Sequence, residues 1–427
     1  MPRNDQPQGR RSVLGALTQP MIDARYKNSF ARVAGYLPAN RKAVDAWLAA
    51  FADRAQDRKG ELSPSVGALK QVIEADGKIQ TLVAGMLEQL PRQLQPLQDL
   101  DHLLKCVDEV TTTAPEFHAH PDERILFPLS ALFAHLSLTP PGAAALRLPA
   151  FNTALQGVLK AWCAFLDSPQ SRYVLTETGN GWLAAPSVEQ NRLDDYVIPD
   201  RGSEHWGFAS FNDFFHRKVK LEARPIATDP HAVIAAGDAS FVRVDRNVGE
   251  TTGLPIKGQP FALAEMLNRH SSTDRFIGGS VVQLVPPATG YHRFHAPVDG
   301  VVRHVEIIPG LVFSVAESAG LDPTAQEVSL SAQAAANTRG LIFIESTAPQ
   351  VGMVGLLPVG MSEVSSTTIT VTEGQEVKKG EELGYFSYGG SSMCMVFEKE
   401  SQVSFPKEPE HYRFGEQIAV ADRNAAL

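Results

Sequence analysis

The segment 290–300, with the sequence GYHRFHAPVDG, limits the possible folds of this chain more than any other stretch. It carries two histidines, His292 and His295, three positions apart. Positions three apart face opposite sides of an extended strand, so both rings can approach one site only where the strand twists or ends. Pro297 permits such an end. The segment therefore predicts the end of a polar strand, either with two hydrogen-bonded histidines or with a site built around them.

Short β-rich runs surround this segment in the part of the chain after about residue 205, and most have Gly, Pro or Asp close to one end. That spacing predicts a β-rich sandwich or barrel. The runs are Phe241–Val244, Ser280–Val285, Gly300–Ile308, Gly340–Glu345, Val351–Val359, Thr367–Val371 and Leu383–Phe386.

The earlier part of the chain has helical periodicity instead. The stretch Leu146–Leu166, for example, is apolar but interrupted by polar and charged residues, which predicts an amphipathic helix. We therefore expect an α+β chain with a disordered tail over 1–20, a helical domain over 21–200 and a β-rich domain over 201–427.

The composition sets the broad class. The chain has 427 residues, of which 43% are hydrophobic and 20% charged, as is ordinary for a globular protein. A net charge of −9 without a basic block argues against a nucleic-acid partner. We expect no membrane span because no run of 18 or more apolar residues occurs, and the segment after Arg10-Arg11 is too short for an export signal. We expect a soluble, cytoplasmic protein, for which peripheral contact with a membrane stays open.

The three cysteines, Cys106, Cys163 and Cys394, form an odd count without a CxxC pair. We therefore expect neither a disulfide framework nor a cysteine-built zinc site, and a reducing compartment is the better expectation. A zinc site around the two histidines would need His304 or Glu306 as a further ligand. No pair of ligands recurs at helical spacing, so we expect no metal.

A second segment, 388–397 with the sequence YGGSSMCMVF, places two glycines before Ser391 and Ser392 and an apolar strand after them. Taken alone, Gly-Gly-Ser-Ser is most often a flexible turn. A serine beside a permissive glycine can also attack a carbonyl group if a base removes its proton. Cys394 in the following strand is better explained as a small buried hydrophobe than as a nucleophile.

Two further features, a phenylalanine-rich segment and a single aspartate, are candidates for a structural or functional role. In the segment 207–217, with the sequence GFASFNDFFHR, Ser210 is expected to cap a short helix whose phenylalanines pack inward. Asp238 follows an apolar run and would by itself be taken for a turn residue.

Taken together, these segments form a pattern that is specific enough to indicate a protein family. The order Phe-Asn-Asp-Phe-Phe-x-Arg, Ala-Arg-Pro-Ile, an isolated Asp, Tyr-His-Arg-x-His-x-Pro-x-x-Gly and Gly-Ser-Ser near the C-terminus resembles the phosphatidylserine decarboxylase family over about 205–427. The helical half resembles, more loosely, the extension of a soluble subgroup that includes fungal enzymes that decarboxylate L-tryptophan. Trp-Gly-Phe at 206–208 is one segment that carries this second likeness.

The resemblance implies a cofactor that the chain makes from itself. Members of the family cut their own chain before the serine of the Gly-Ser motif, which here is the bond between Gly390 and Ser391. Ser391 Oγ would attack the Gly390 carbonyl group, and β-elimination would release residues 1–390 as the large subunit. Residues 391–427 would form the small subunit, which would begin with a pyruvoyl group.

The resemblance also implies roles for other residues. His295 would be the base for self-cleavage and Asp238 would orient it, as in a Ser-His-Asp triad. The family has a glycine after the aspartate where this chain has Ala239, which leaves the local turn in question. His292 would contact the substrate carboxylate or return a proton to Cα, and we favour a structural ion pair for Arg293. The pyruvoyl group would be the electron sink for decarboxylation.

The substrate stays open between two classes. We expect a free aromatic amino acid, with L-tryptophan as the lead, since many membrane-bound relatives carry Leu-Gly-Ser-Thr and an apolar anchor instead. The alternative is phosphatidylserine, which would require docking on a bilayer. A serine hydrolase with the same three residue types and a binding module that never matures are the alternatives outside this class. Members of the family often pair, so a homodimer is compatible with the sequence.

Overall fold

The computed structural model describes residues 37–421, apart from positions 39, 91–96, 98, 138, 251, 257–258, 262, 315–332, 362, 364–365, 389 and 406–410. The expected tail over 1–20 lies outside the described residues, as does Gly389 of the Gly-Gly-Ser-Ser motif.

The first half of the described chain is helical, as the periodicity predicts. Proline opens several of these helices because its missing N–H is not needed in the first turn. The predicted helix Leu146–Leu166 accordingly begins at Pro149, after a short preceding helix has ended at Leu146. The helices are α1 (Arg41–Asp57), α2 (Pro64–Ala75), α3 (Gly77–Glu88), α4 (Leu100–Val110), α5 (Pro128–Ser137), α6 (Pro140–Leu146), α7 (Pro149–Leu166), α8 (Ala185–Gln190) and α9 (Phe211–Phe215).

The apolar faces of these helices share one core, and the segment that contains α9 packs into it. Ser210 caps α9 as predicted, since its hydroxyl group accepts a hydrogen bond of 3.0 Å from the Asp213 N–H. The three phenylalanines of α9 are buried. Residues that follow position 200 therefore belong physically to the core of the helical half.

The second half is β-rich, with two short helices, α10 (Leu263–Met266) and α11 (Thr273–Phe276). Each predicted β-run corresponds to an observed strand, with ends that shift by a few residues. The strands are β1 (Ala232–Ile234), β2 (Ala239–Arg246), β3 (Thr252–Ile256), β4 (Gln259–Phe261), β5 (Ser280–Val285), β6 (Arg293–His295), β7 (Gly300–Ile308), β8 (Arg339–Ser346), β9 (Met353–Met361), β10 (Thr367–Ile369), β11 (Glu376–Val377), β12 (Glu382–Phe386), β13 (Gly390–Phe397), β14 (Val403–Ser404), β15 (His411–Tyr412) and β16 (Gln417–Ala421).

The largest sheet has eight antiparallel strands in the order β11-β7-β8-β9-β13-β5-β2-β15. The strand within the histidine segment, β6, lies in a second sheet with the order β10-β12-β6. Leu284 and Met395 of the large sheet share one apolar cluster with Phe294 and Phe386 of the small one. The chain is thus an α+β protein in which a helical part precedes packed antiparallel sheets, as expected.

None of the helices in the described part of the chain has the length and apolar character that crossing a membrane requires.

Candidate active site

Ser391 lies in the second position of β13, in the middle of the large sheet. The strand pairs with β9 along its whole length, with Ser391 opposite Gly360, but pairs with β5 only from Met393 onward. The Ser391 side chain is 5% exposed, and among the described residues its Oγ has no hydrogen-bond partner. The motif therefore enters a strand at Gly390, and it offers a buried hydroxyl group that no other described side chain holds.

His295 ends β6, as the segment predicts. Its Nδ1 lies 3.0 Å from the carbonyl oxygen of Gly380, so this nitrogen carries the ring proton, since a carbonyl oxygen only accepts. Its Nε2 lies 2.7 Å from the hydroxyl group of Tyr291, and its ring stacks on Phe414 with centroids 3.7 Å apart. Burial lowers the pKa of His295 to about 3. The imidazole is therefore neutral at pH 7 and accepts protons only at Nε2.

Asp238 is buried and paired with Arg224. The guanidinium group donates two hydrogen bonds to the carboxylate, of 3.1 Å from Nε and 2.7 Å from a terminal nitrogen. The Phe414 N–H donates a third of 2.8 Å. The bonds found for Asp238 thus run to Arg224 and Phe414, and those of the His295 ring run elsewhere. Phe414 joins the two groups because its amide holds Asp238 while its ring stacks on His295. That Asp238 orients His295 stays a prediction.

The turn before Asp238 packs between β6 and β13. The His295 N–H donates to the Ala236 carbonyl oxygen at 2.8 Å. A Cβ atom at Gly237 would lie 3.0 Å from Met393 Cε and only 3.2 Å from the carbonyl oxygen of Arg293. This close approach favours glycine at 237. Position 239, where the chain departs from the family, lies at the start of β2 as a buried alanine.

His292 lies just before β6, with its ring stacked on Phe215 of α9 at a centroid distance of 3.9 Å. Its Nδ1 lies 3.1 Å from the Gly290 carbonyl oxygen. Burial, and then the charge of Arg217, lower the pKa of His292 to about 3. Among the described residues His292 and His295 share no hydrogen-bond partner, so the two histidines occupy separate aromatic surroundings.

The remaining polar residues of the motif have structural partners. Arg293 forms a 2.6 Å ion pair with Glu382, the structural role that we favour for it. His304, which a zinc site would require, bonds Glu373 at 2.9 Å. In the described ranges no group of three or more His, Cys, Asp or Glu residues could hold a metal ion.

The cysteines are free thiols. Cys394 is buried in β13, and burial raises the pKa of its thiol to about 12. This is the behaviour of a small packed hydrophobe rather than of a nucleophile.

Sequence reasoning assigned no role to Tyr291, Arg224 or Phe414. Tyr291 and Arg224 stand inside the motifs Tyr-His-Arg and Ala-Arg-Pro-Ile, and that position is the signal that could have singled them out. Phe414 carries no such signal, because it lies more than a hundred residues from both groups that it joins.

Comparisons with known proteins identify relatives of this chain. A family model described as phosphatidylserine decarboxylase matches residues 211–420, and a second model of that description matches 63–191. A protein of Amanita muscaria named decarboxylase iboD is 32% identical over 71% of this chain and 94% of its own length. The L-tryptophan decarboxylase of Psilocybe cubensis is 27% identical over 86% of this chain and 88% of its own. The phosphatidylserine decarboxylase proenzyme 3 of Schizosaccharomyces pombe is 36% identical over 45% of this chain and 19% of its own.

The family models and these relatives define the class of the protein as a decarboxylase, that is, a carboxy-lyase. Since a relative above 30% identity is covered almost from end to end, the chain belongs to the phosphatidylserine decarboxylase family.

Proposed function

We propose that the chain cuts itself between Gly390 and Ser391 and turns the serine into a pyruvoyl group. The buried Ser391 hydroxyl group, which no described residue binds, supports this proposal. The pairing of β13 supports it as well, since Gly390 and Ser391 lie outside the part of the strand that β5 pairs with.

The proposed chemistry balances with water as the only co-reactant. Ser391 Oγ bonds to the Gly390 carbonyl carbon, the C–N bond breaks, and the hydroxyl proton passes to the freed nitrogen. Loss of the Ser391 Cα proton then breaks the Cβ–Oγ bond and releases Gly390 as a carboxylate. Water then hydrolyses the resulting dehydroalanine, so that its nitrogen leaves as ammonia and a ketone remains. Once formed, the pyruvoyl group would supply the electron sink: its ketone carbon would bond the amino nitrogen of the substrate with loss of water, and the electron pair left by departing carbon dioxide would delocalise into the neighbouring carbonyl group.

His295 is the proposed base for this cleavage. With the ring proton on Nδ1, only Nε2 can accept the proton of Ser391, and the hydroxyl group of Tyr291 lies on that nitrogen. Tyr291 therefore either relays the proton or gives way to Ser391. Asp238 would orient His295 indirectly, through Phe414, whose N–H it binds. Arg224 would neutralise the charge of Asp238.

His292 is the proposed contact for the carboxylate or for the proton at Cα of the substrate. Its Nδ1 proton is directed at Gly290, so Nε2 is the atom at which it would hold or pass a proton. Its stacking on Phe215 fixes the plane of the ring.

We propose a free aromatic amino acid as the substrate, with L-tryptophan giving tryptamine and carbon dioxide as the lead. The supporting observation is how much of the chain a relative matches: proteins named decarboxylase iboD and L-tryptophan decarboxylase match from 68% to 86% of it. Several phosphatidylserine decarboxylase proenzymes match from 45% to 51% of it. Phosphatidylserine is the second candidate, since its decarboxylases share the catalytic half.

The first test is the intact mass of the purified protein. We expect two fragments, 1–390 and 391–427, with the smaller one lighter by the mass of ammonia than a fragment that begins with serine. Ser391→Ala should stay uncut. Ser392→Ala is the matched control, since Ser392 is the buried neighbour whose Oγ also has no partner among the described residues, and it should still be cut. An uncut wild-type chain would overturn self-cleavage and favour the serine hydrolase or the binding module.

The second test separates the substrates. Purified cut protein is incubated with L-tryptophan and, separately, with phosphatidylserine vesicles, and Ser391→Ala provides the blank. Tryptamine without phosphatidylethanolamine is the expected result, whereas the reverse outcome would replace the amino acid by the lipid. Association of the two fragments, and of two copies of the chain, stays a prediction that the mass of the native particle tests.

A further inference from the structure

The strands β9 and β13 leave their shared ladder next to the scissile bond. Gly390 is paired with Met361, the last residue of β9. Tyr388 stands two residues before Gly390, and Glu363 stands two residues after Met361. Both side chains are buried, with exposed fractions of 4% and 3%. Both therefore lie just beyond the same end of the β9–β13 ladder, on the Gly390 side of the Gly390–Ser391 bond.

Both side chains attach to one short segment of the helical half. The hydroxyl group of Tyr388 donates a hydrogen bond to the carbonyl oxygen of Leu126. The carboxyl group of Glu363 accepts a hydrogen bond of 2.5 Å from the N–H of Ser130, in the first turn of α5. The segment Leu126–Ser130, which we term the α5 clamp, thus binds both chain segments that extend beyond this end of the ladder.

The ring of Tyr388 is held as firmly as its hydroxyl group. It contacts Phe127 and Trp162 of the helical half at centroid distances of 6.3 and 5.8 Å. It also contacts Phe211 and Phe215 of α9 at 5.0 and 4.9 Å. Such a closed aromatic surrounding leaves the ring one position. The backbone three residues before Ser391 is therefore fixed by the helical half.

Glu363 fits the clamp as an acceptor rather than as a charge. Its Oε1 satisfies an amide of the first turn of α5, which has no partner within the helix. Burial raises the pKa of Glu363 well above its ordinary value, so the neutral form is favoured. A glutamine would keep the same acceptor at nearly the same position, whereas an alanine would lose it.

We propose that the α5 clamp positions the Gly390–Ser391 bond for self-cleavage by holding Tyr388 and Glu363 at the end of the ladder next to it. This proposal rests on the proposed self-cleavage and gives the helical half a task in it. Tyr388 and Glu363 are positioning residues, since neither forms nor breaks a bond. The physical reason is geometric: a displacement of about 1 Å can slow a reaction between held groups on the order of 100-fold.

The test follows cleavage in cell-free synthesis of the full chain, as the appearance of the 1–390 and 391–427 fragments with time. Tyr388→Phe and Glu363→Ala should slow cleavage about tenfold or more, since each removes one bond to the clamp. Glu363→Gln should be cut within about threefold of the wild-type rate, because it keeps the acceptor. Tyr173→Phe is the matched control: its hydroxyl group also bonds backbone atoms, those of Ala114, but within the helical half away from the site. It should be cut at the wild-type rate.

Folding is measured separately, as the thermal unfolding of each variant combined with Ser391→Ala, and rates are expressed per folded molecule. Cleavage of Tyr388→Phe and Glu363→Ala at the wild-type rate would overturn the clamp while leaving self-cleavage intact. An uncut wild-type chain would instead overturn the proposed function. Should Tyr388→Phe not fold, equal rates for Glu363→Ala and Glu363→Gln would by themselves overturn the clamp.

Discussion

The hydroxyl group of Tyr291 lies 2.7 Å from Nε2 of His295. Since Nδ1 carries the ring proton toward Gly380, this contact occupies the single nitrogen through which His295 can act as a base. The residue that begins the histidine motif is thereby joined to the residue that ends β6. The proposed path of the proton from Ser391 to His295 therefore depends on Tyr291.

Replacement of this tyrosine tests that path. We expect Tyr291→Phe to slow self-cleavage about tenfold or more, because the relay is lost and a buried nitrogen is left without a partner. Appearance of the small fragment with time is the measurement, and Tyr173→Phe serves as the control that loses a hydroxyl group elsewhere. Faster cleavage in Tyr291→Phe would mean that the tyrosine blocks the base instead of serving it.

The ion pair behind the site should matter for stability. Arg224 and Asp238 are both buried, so Arg224→Met leaves a buried carboxylate without its cation. We expect the free energy of unfolding to fall by about 3–5 kcal/mol, measured by urea unfolding in the uncut Ser391→Ala chain. Lys70→Met, which breaks a solvent-exposed pair with Asp101, should change it by at most about 1 kcal/mol. Equal effects of the two variants would contradict the assigned importance of the Arg224 pair.

Acid should weaken the fold through the buried histidines. Burial lowers the pKa of His292 and of His295 to about 3 in the folded chain, whereas a histidine in the unfolded chain has its ordinary pKa of 6.5. Below that value the unfolded state binds protons that the folded state does not, so the free energy of unfolding falls as the pH drops. Each histidine contributes about 1.4 kcal/mol per pH unit. In the Ser391→Ala chain, adding His292→Gln should reduce this slope between pH 6 and 4, and an unchanged slope would refute the assignment.

Glu363 should have the opposite dependence on pH. Burial raises the pKa of Glu363 above its ordinary value of 4.5. When the pH exceeds that ordinary value, the folded state therefore keeps a proton that the unfolded state has lost. The free energy of unfolding therefore falls as the pH rises through this range. Glu363→Gln removes the effect, and in the Ser391→Ala background the stability of this variant relative to the parent chain should grow as the pH rises above 5. A constant difference would show that Glu363 is ionised in the folded chain.

Much of the local structure could be predicted because it depends on near neighbours in the sequence. The short β-rich runs became strands, and Ser210 became the cap of α9, since both follow from a few adjacent residues. Some predicted bounds differ from the observed ones. The helix predicted from Leu146, for example, starts at Pro149, because proline fits the first turn of a helix. The order of the motifs also identified the family before any contact was known.

The sequence by itself determined the α+β class, the family and the serine on which the proposed chemistry depends. Only the tertiary structure decided which groups surround that chemistry. Gly380 holds His295 from 85 positions away, and Leu126 holds Tyr388 from 262 positions away. Periodicity and turn chemistry act over a few residues, whereas these contacts exist because packing brings distant segments together. For this reason the partners of His295 and the α5 clamp became visible only in the folded chain.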